Sequence, residues 1–307
     1  MNKATQWRDL HPKVKRGFTA ITTNMTVVDG VAYSAQGTDV SHMVDIVPKF
    51  TPEQVRGLDA IDALSKHEVD NGGFVFTFFK QMQTMDGRFT SLTQPDLARL
   101  MFVGSYTSWR DGQLIYDNGR SITKDGLHEL TQMSRKRFNE FYNRLIDENI
   151  LTEVDSDLYM NPSVFYRGAL SDYQYETDDL QHTRMFRKTV RDLYGKYNGR
   201  SLGQLAIVYA VLPFIHFKTN VVSYNADESN VDKVVPMPLD KLAVALGYGN
   251  AQKLKTALNR VKIEGHPVFG FFENPNDRRS IRIVINPRVF FAAGAGELSS
   301  LYVLFNM

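Results

Sequence analysis

Ser134-Arg135-Lys136-Arg137 is a run of hydrogen-bonding side chains, three of them cationic, continued by Asn139 and Asn143. A guanidinium pairs with the guanine edge, a carboxamide with the adenine edge, and Lys or Arg holds phosphate. Glu140 departs from an all-basic set; it could accept from cytosine or merely keep the helix soluble. A second set has the same character: Asn250, Gln252, Lys253, Lys255, Thr256 and Asn259, in a stretch from Asn250 to Ile263 that holds no acidic residue. Catalysis is poorly served by comparison. Gly195-Lys196 lacks the upstream glycine of a phosphate-binding loop, and neither His67-Glu68 nor His128-Glu129 has the second histidine of a His-Glu-x-x-His zinc motif. The chain has 0 cysteines, which excludes disulfides, thiolate metal sites and thiol nucleophiles. Its 14 tyrosines, Tyr166-Arg167 included, show no spacing that singles out a nucleophile. The expectation is a protein without catalytic residues, metal or cofactor.

Those polar runs need elements to present them. Thr123-Lys124-Asp125 opens a short helix with Leu127, Leu130 and Met133 on one face. Ser134 caps a second helix that turns Phe138, Phe141, Tyr142, Leu145 and Ile146 inward and ends at Asn149. Strands at 150–153 and 158–160 then flank Asp155-Ser156-Asp157. Upstream, Leu97, Leu100, Met101, Val103 and Tyr106 mark a helix over 94–108, preceded by a strand at 74–79. Thr51-Pro52-Glu53 starts a helix that runs to Val69 and stops at Asn71-Gly72-Gly73. In the first fifty residues, Lys3, Arg8, Lys13, Lys15 and Arg16 crowd the start, and TVVDGVAYSA reads as a hairpin about Asp-Gly. A small hairpin docked on the body is the reading preferred here over a free DNA-tracking arm.

The pattern repeats. Leu205–Phe217, Leu239–Leu246 and Asn250–Ile263 follow the order of the three helices before the first hairpin. Setting Leu254 on Phe138 brings Asn259-Arg260 onto Asn143-Arg144 and Gly265 onto Asn149. Both copies end in Asn-Pro-x-Val-Phe, at Asn161–Phe165 and Asn286–Phe290, the second after a longer hairpin around 274–277. That hairpin carries Arg278, Arg279 and Arg282, whereas the first carries Glu153, Asp155 and Asp157. Between the copies, Met185, Val190, Leu193 and Tyr197 space out a connecting helix. One side of it would carry Arg184, Arg187, Lys188 and Arg191 along a DNA backbone.

The run ITKDGLHELTQMSRKRFNEFYNRLIDENIL resembles the winged helix-turn-helix family of DNA-binding proteins. In that family the third helix enters the major groove and the hairpin touches flanking backbone. The segment DLYMNPSVFYRG is similar to the end of the wing in RepL-type replication proteins of Gram-positive plasmids and phages. The likeness spans Asp96 to Gly168, and two such units in one chain also resemble the plan of iteron-binding plasmid initiators.

The expected fold is therefore mainly α with small β hairpins (α+β), as two winged helix-turn-helix domains in tandem. Its parts are an extension over 1–50, a first domain over 51–172, a basic connecting helix over 173–200 and a second domain over 201–307. The expected partner is double-stranded DNA, with replication or transcription proteins beside it. The expected role is replication initiation for a phage or plasmid; the alternatives are transcriptional regulation and a protein-binding module acting on a host factor. A net charge of +2 over 307 residues says little about partners by itself. The longest apolar run, 205–217, is too short to span a bilayer and the first residues do not form a secretory signal, so the expected location is the cytoplasm. LSSLYVLFNM near the C-terminus reads as a buried strand or a docking segment.

Overall fold

A computed structural model describes residues 11–44, 52–80, 82–174, 180–199, 201–274 and 277–306. The fold is α+β, with helices around small antiparallel sheets. Two compact units divide at Arg56. In the first, α1 (Pro12–Thr22) precedes a hairpin of β1 (Thr26–Val28) and β2 (Val31–Tyr33). Asp29 and Gly30 both take positive φ at its turn (51° and 80°), the conformation a two-residue hairpin with Asp-Gly requires. Helix α2 (Pro52–Asp70) crosses the division; Thr51, the cap expected for it, lies outside the described residues.

The second unit, Gly57–Met307, is built twice over. Its first half runs β3 (Phe74–Phe79), α3 (Met85–Arg88), α4 (Gln94–Gly104), α5 (Lys124–Thr131), α6 (Arg135–Asp147), β4 (Leu151–Val154), β5 (Asp157–Met160) and β6 (Phe165–Tyr166). Its second half runs β7 (Gln181–Phe186), α7 (Arg187–Tyr197), α8 (Leu202–Ala210), α9 (Leu239–Ala245) and α10 (Ala251–Arg260). There follow β8 (Lys262–Ile263), β9 (His266–Pro267), β10 (Phe269–Asn274), β11 (Asp277–Ile285), β12 (Phe290–Phe291) and α11 (Ala295–Phe305).

One antiparallel sheet, ordered β12-β7-β3-β6, joins the halves. Its two central strands pair so that Phe76 faces Arg184, with Phe74 on Phe186 and Phe78 on His182. At the offset of 108 positions that relates the halves, Phe76 and Arg184 are each other's counterparts, so exchanging the halves leaves this register unchanged. Helix α4 likewise packs on its counterpart α8.

Backbone hydrogen bonds repeat pair by pair, at an offset of 108 positions for residues before the third helix and 125 for those in the hairpin strand and the turn after it. Ile115 N to Tyr106 O is matched by Ser223 N to Phe214 O, and Leu114 N to Leu158 O by Val222 N to Ile283 O. Phe78 N to Val164 O is matched by Phe186 N to Val289 O. Gly112 and Asn220, at one equivalent turn, both hold positive φ (75° and 54°). The Asn-Pro-x-Val-Phe segments have one job. Asn161 donates from Nδ2 to Asn149 O (2.8 Å) and accepts from Ser163 N (2.9 Å). Asn286 donates to Pro267 O (3.2 Å) and accepts from Arg288 N (2.9 Å). Each turn thus ties a strand end to the segment leaving the third helix, and seats a buried Phe165 or Phe290 in the central sheet.

Three expectations need correction. Gly265 does not replace Asn149: it sits with Glu264 in the positive-φ turn between β8 and β9, and Pro267 takes the place of Asn149. The stretch around 181–186 is a strand, not the start of a connecting helix, because β3 offers it a free edge and alternate residues Thr183 and Met185 bury. The halves also share one hydrophobic core, in which Phe102 of α4 stacks on Tyr194 of α7 at 3.8 Å. Gly104 lets that core close, since a Cβ there would lie 2.5 Å from the Phe165 ring.

The C-terminal apolar segment is a helix. Leu298, Leu301 and Phe305 of α11 bury against Val221, Val284 and Phe291. Buried His67 of α2 joins this corner: Nε2 donates to Pro287 O (3.1 Å), so neutral Nδ1 accepts from the Tyr302 hydroxyl (2.8 Å). Burial holds its pKa below the usual histidine value, and burial does the same for His216. The neutral form is the one the fold favours. Stability should be fully present above about pH 6.5 and decline as pH falls below it. Urea unfolding at about pH 7.5 and about pH 5.5 checks this, with His67→Gln expected to reduce the drop without abolishing it.

Candidate nucleic-acid interface

Helix α6 is pinned by Phe138, Phe141, Tyr142 and Leu145, all buried. Ser134, Arg135, Lys136, Arg137, Asn139, Glu140 and Asn143 are all exposed, so the set singled out in sequence lies on one helix's outer surface. Its start runs against the helix dipole. The N-terminus of a helix carries partial positive charge, so an acidic residue there gains about 0.3–1 kcal/mol and a cation is disfavoured. The preceding helices α5 and α9 follow that preference with Asp125 and Asp240, while α6 and α10 have no acidic residue in the first turn. Helix α6 instead opens on three cations, an arrangement that suits an external anion.

Helix α10 is fixed by buried Leu254 and Leu258. Gln252, Lys253, Thr256 and Asn259 are exposed, as is Arg260, which sequence reading aligned with Arg144 but did not place in the site. The roles of the others divide. Asn250 is the N-cap, its Oδ1 accepting from Lys253 N (2.8 Å), so that oxygen serves the helix itself. The Thr256 hydroxyl donates to Gln252 O (2.9 Å). Lys255 is half-buried, its Nζ 5.6 Å from the centroid of the Phe271 ring.

The acidity of the first hairpin has a structural cause. Tyr142 donates to Glu153 Oε2 (2.5 Å), and Gln113 Nε2 donates to Asp157 Oδ2 (2.8 Å). Burial, then the Glu153 carboxylate, pushes the Tyr142 hydroxyl's pKa upward, and Lys124 Nζ lies 4.3 Å over the same ring. Two of the three carboxylates therefore anchor the hairpin; sequence reading missed this because Tyr142 and Glu153 belong to different elements. In the second hairpin Arg282 is exposed but alternates with Ile281 and Ile283, which places it beside Glu297 and Leu301 of α11 and away from Phe271 and α10. The side chains of Arg278 and Arg279 lie outside the described residues.

Of the basic residues expected along a connecting helix, only Lys188 is exposed. Arg184 is in the central sheet, donating to Ala293 O (3.0 Å). Arg187, 8% exposed, donates to Ser105 O (2.7 Å) and Asp117 (3.2 Å). Arg191 donates to Ser105 O and Oγ (2.8 and 2.9 Å) and to both Asp117 oxygens. These guanidiniums clamp α7 to the first half rather than offering a free basic face. Arg191→Ala should therefore cost about 1–2 kcal/mol in stability and leave the salt dependence of any duplex binding unchanged, as read by paired unfolding and anisotropy titrations.

The chain matches no protein-family model, no curated protein and no solved structure. Among the described residues no helix is long and apolar enough to cross a membrane.

Proposed function

We propose that this chain binds double-stranded DNA at specific sites through two winged helix-turn-helix halves, with α6 and α10 as the groove-entering helices. One observation carries the reading. Two helices at equivalent positions begin at the counterpart caps Ser134 and Asn250, lack first-turn acid and turn amide, hydroxyl and cationic side chains outward. Major-groove recognition uses those groups, and the buried stripe beneath each helix keeps them facing out. In the first half the contacts are Arg135, Lys136, Arg137, Asn139 and Asn143. In the second they are Gln252, Lys253, Thr256, Asn259 and Arg260. Because the central sheet relates the halves by exchange, a single chain would present two reading heads as a symmetric dimer does.

The task this serves is replication initiation in the cytoplasm, a reading drawn from the resemblance of the wing end to plasmid and phage replication proteins. Selection of bound fragments from genomic DNA tests it. An origin-proximal array of repeats is the expected result, and sites confined to promoters would make the chain a transcriptional regulator. No duplex binding at low salt would leave the protein-binding reading in place of both.

A further inference from the structure

The two halves differ at one turn, and the difference exposes an aromatic side chain. Ser108 N to Gln113 O (2.8 Å) closes a turn in the first half, and His216 N to Val221 O (2.8 Å) closes its counterpart in the second. Trp109-Arg110 thus corresponds to Phe217-Lys218, an aromatic followed by a cation in both. In the second half that pair is covered. Phe217 is half-buried with its amide bonded to Ala226 O (3.1 Å), and Lys218 Nζ donates to Ser229 O (2.8 Å), both in a longer loop the first half lacks. In the first half Trp109 is 56% exposed and the Arg110 side chain 63% exposed. Arg110 also holds φ at 72°, a conformation that disfavours a side chain of its size.

Charged groups of both signs flank the turn that carries Trp109. Arg110 N donates to Arg167 O (2.7 Å), and the half-buried Arg167 side chain makes no hydrogen bond or ion pair among the described residues. Arg187 and Arg191 stand close enough for their charges to act on it, with Asp117 the carboxylate shared among them. A protein hot spot is an aromatic ringed by apolar contacts. Here the turn's side chains pair with polar groups: Arg110 with Asp172, and Ser108 with Asp111. An exposed ring next in sequence to the exposed Arg110, on a turn whose backbone is bonded to that of Arg167, fits an unpaired base and its phosphates. The turn also lies at the base of the first hairpin, where Met160 N meets Gly112 O, at the other end from the Asp155-Ser156 tip.

We propose that Trp109, with Arg110 and Arg167, forms a single-stranded nucleic-acid contact in which a base stacks on the indole and the guanidiniums hold adjacent phosphates. The chain has 2 tryptophans, so Trp7→Phe leaves Trp109 as the fluorescent reporter. Titration with an oligothymidylate of about 16 nucleotides should quench it, and Trp109→Ala, followed by anisotropy of a labelled oligonucleotide, should weaken single-strand binding about tenfold. Arg167→Ala should weaken it and flatten its salt dependence, while both variants keep wild-type circular dichroism and duplex affinity. Absence of quenching, equal quenching by duplex, or unchanged single-strand affinity in Trp109→Ala would each overturn the contact. Because duplex binding is scored separately, its loss or absence bears on the proposed function and not on this site.

Discussion

Arg135, Lys136 and Arg137 changed together to alanine should lower affinity for duplex DNA about 100-fold and reduce the salt slope by about 2.7, if each holds one phosphate. The same change should leave the protein as stable as before or slightly more so. All three side chains are exposed, and none forms an ion pair among the described residues. They also sit at the positive end of the α6 dipole, where each cation costs about 0.3–1 kcal/mol. Alanine is the better helix former besides. A loss of binding coupled to a maintained or raised melting temperature separates a functional face from a structural one. Unchanged binding with a falling melting temperature would mean that these cations serve the fold.

Asn286→Ala should be the most damaging single polar substitution, costing about 2–4 kcal/mol, or about 5–15 °C in melting temperature for a unit of this size. The side chain is fully buried, and its removal leaves Pro267 O and Arg288 N without the partner that holds the turn into β12. Asn161→Ala removes the equivalent bonds at a partly exposed position and should cost less. Because the two halves share a core, both variants should shift one cooperative transition. A second, separate transition in calorimetry would show that the halves unfold independently.

Local signals carried most of what sequence could reveal. Helix α6 was legible because its cap, its apolar stripe and its αL terminus at Asn149 all lie within sixteen consecutive residues. The duplication was legible through Asn-Pro-x-Val-Phe, since each residue of that turn has a geometric duty the other copy must also meet. The central sheet was not. Strand β7 takes its conformation from β3, more than a hundred residues away, and Met185, Val190 and Leu193 keep a helical spacing straight through the strand-helix junction. The fates of Arg187 and Arg191 were hidden for the same reason, because Asp117 and Ser105 come from the other half. The placement of Gly265 failed on a small insertion: the β8–β9 turn shifts the chain and gives Glu264-Gly265 a hairpin in place of a helix end. Composition could not tell the anchoring carboxylates Glu153 and Asp157 from repulsive ones, since the difference lies in what Tyr142 and Gln113 reach.

Hydroxyl-radical footprinting on a selected duplex puts the pairing of α6 and α10 to its most direct trial. Two protected segments about one helical turn apart on one face of the DNA are expected. The α6 triple variant should erase one segment, and Lys253→Ala combined with Asn259→Ala should erase the other. A single segment, or two that vanish together when only α6 is changed, would contradict the assignment of one reading helix to each half.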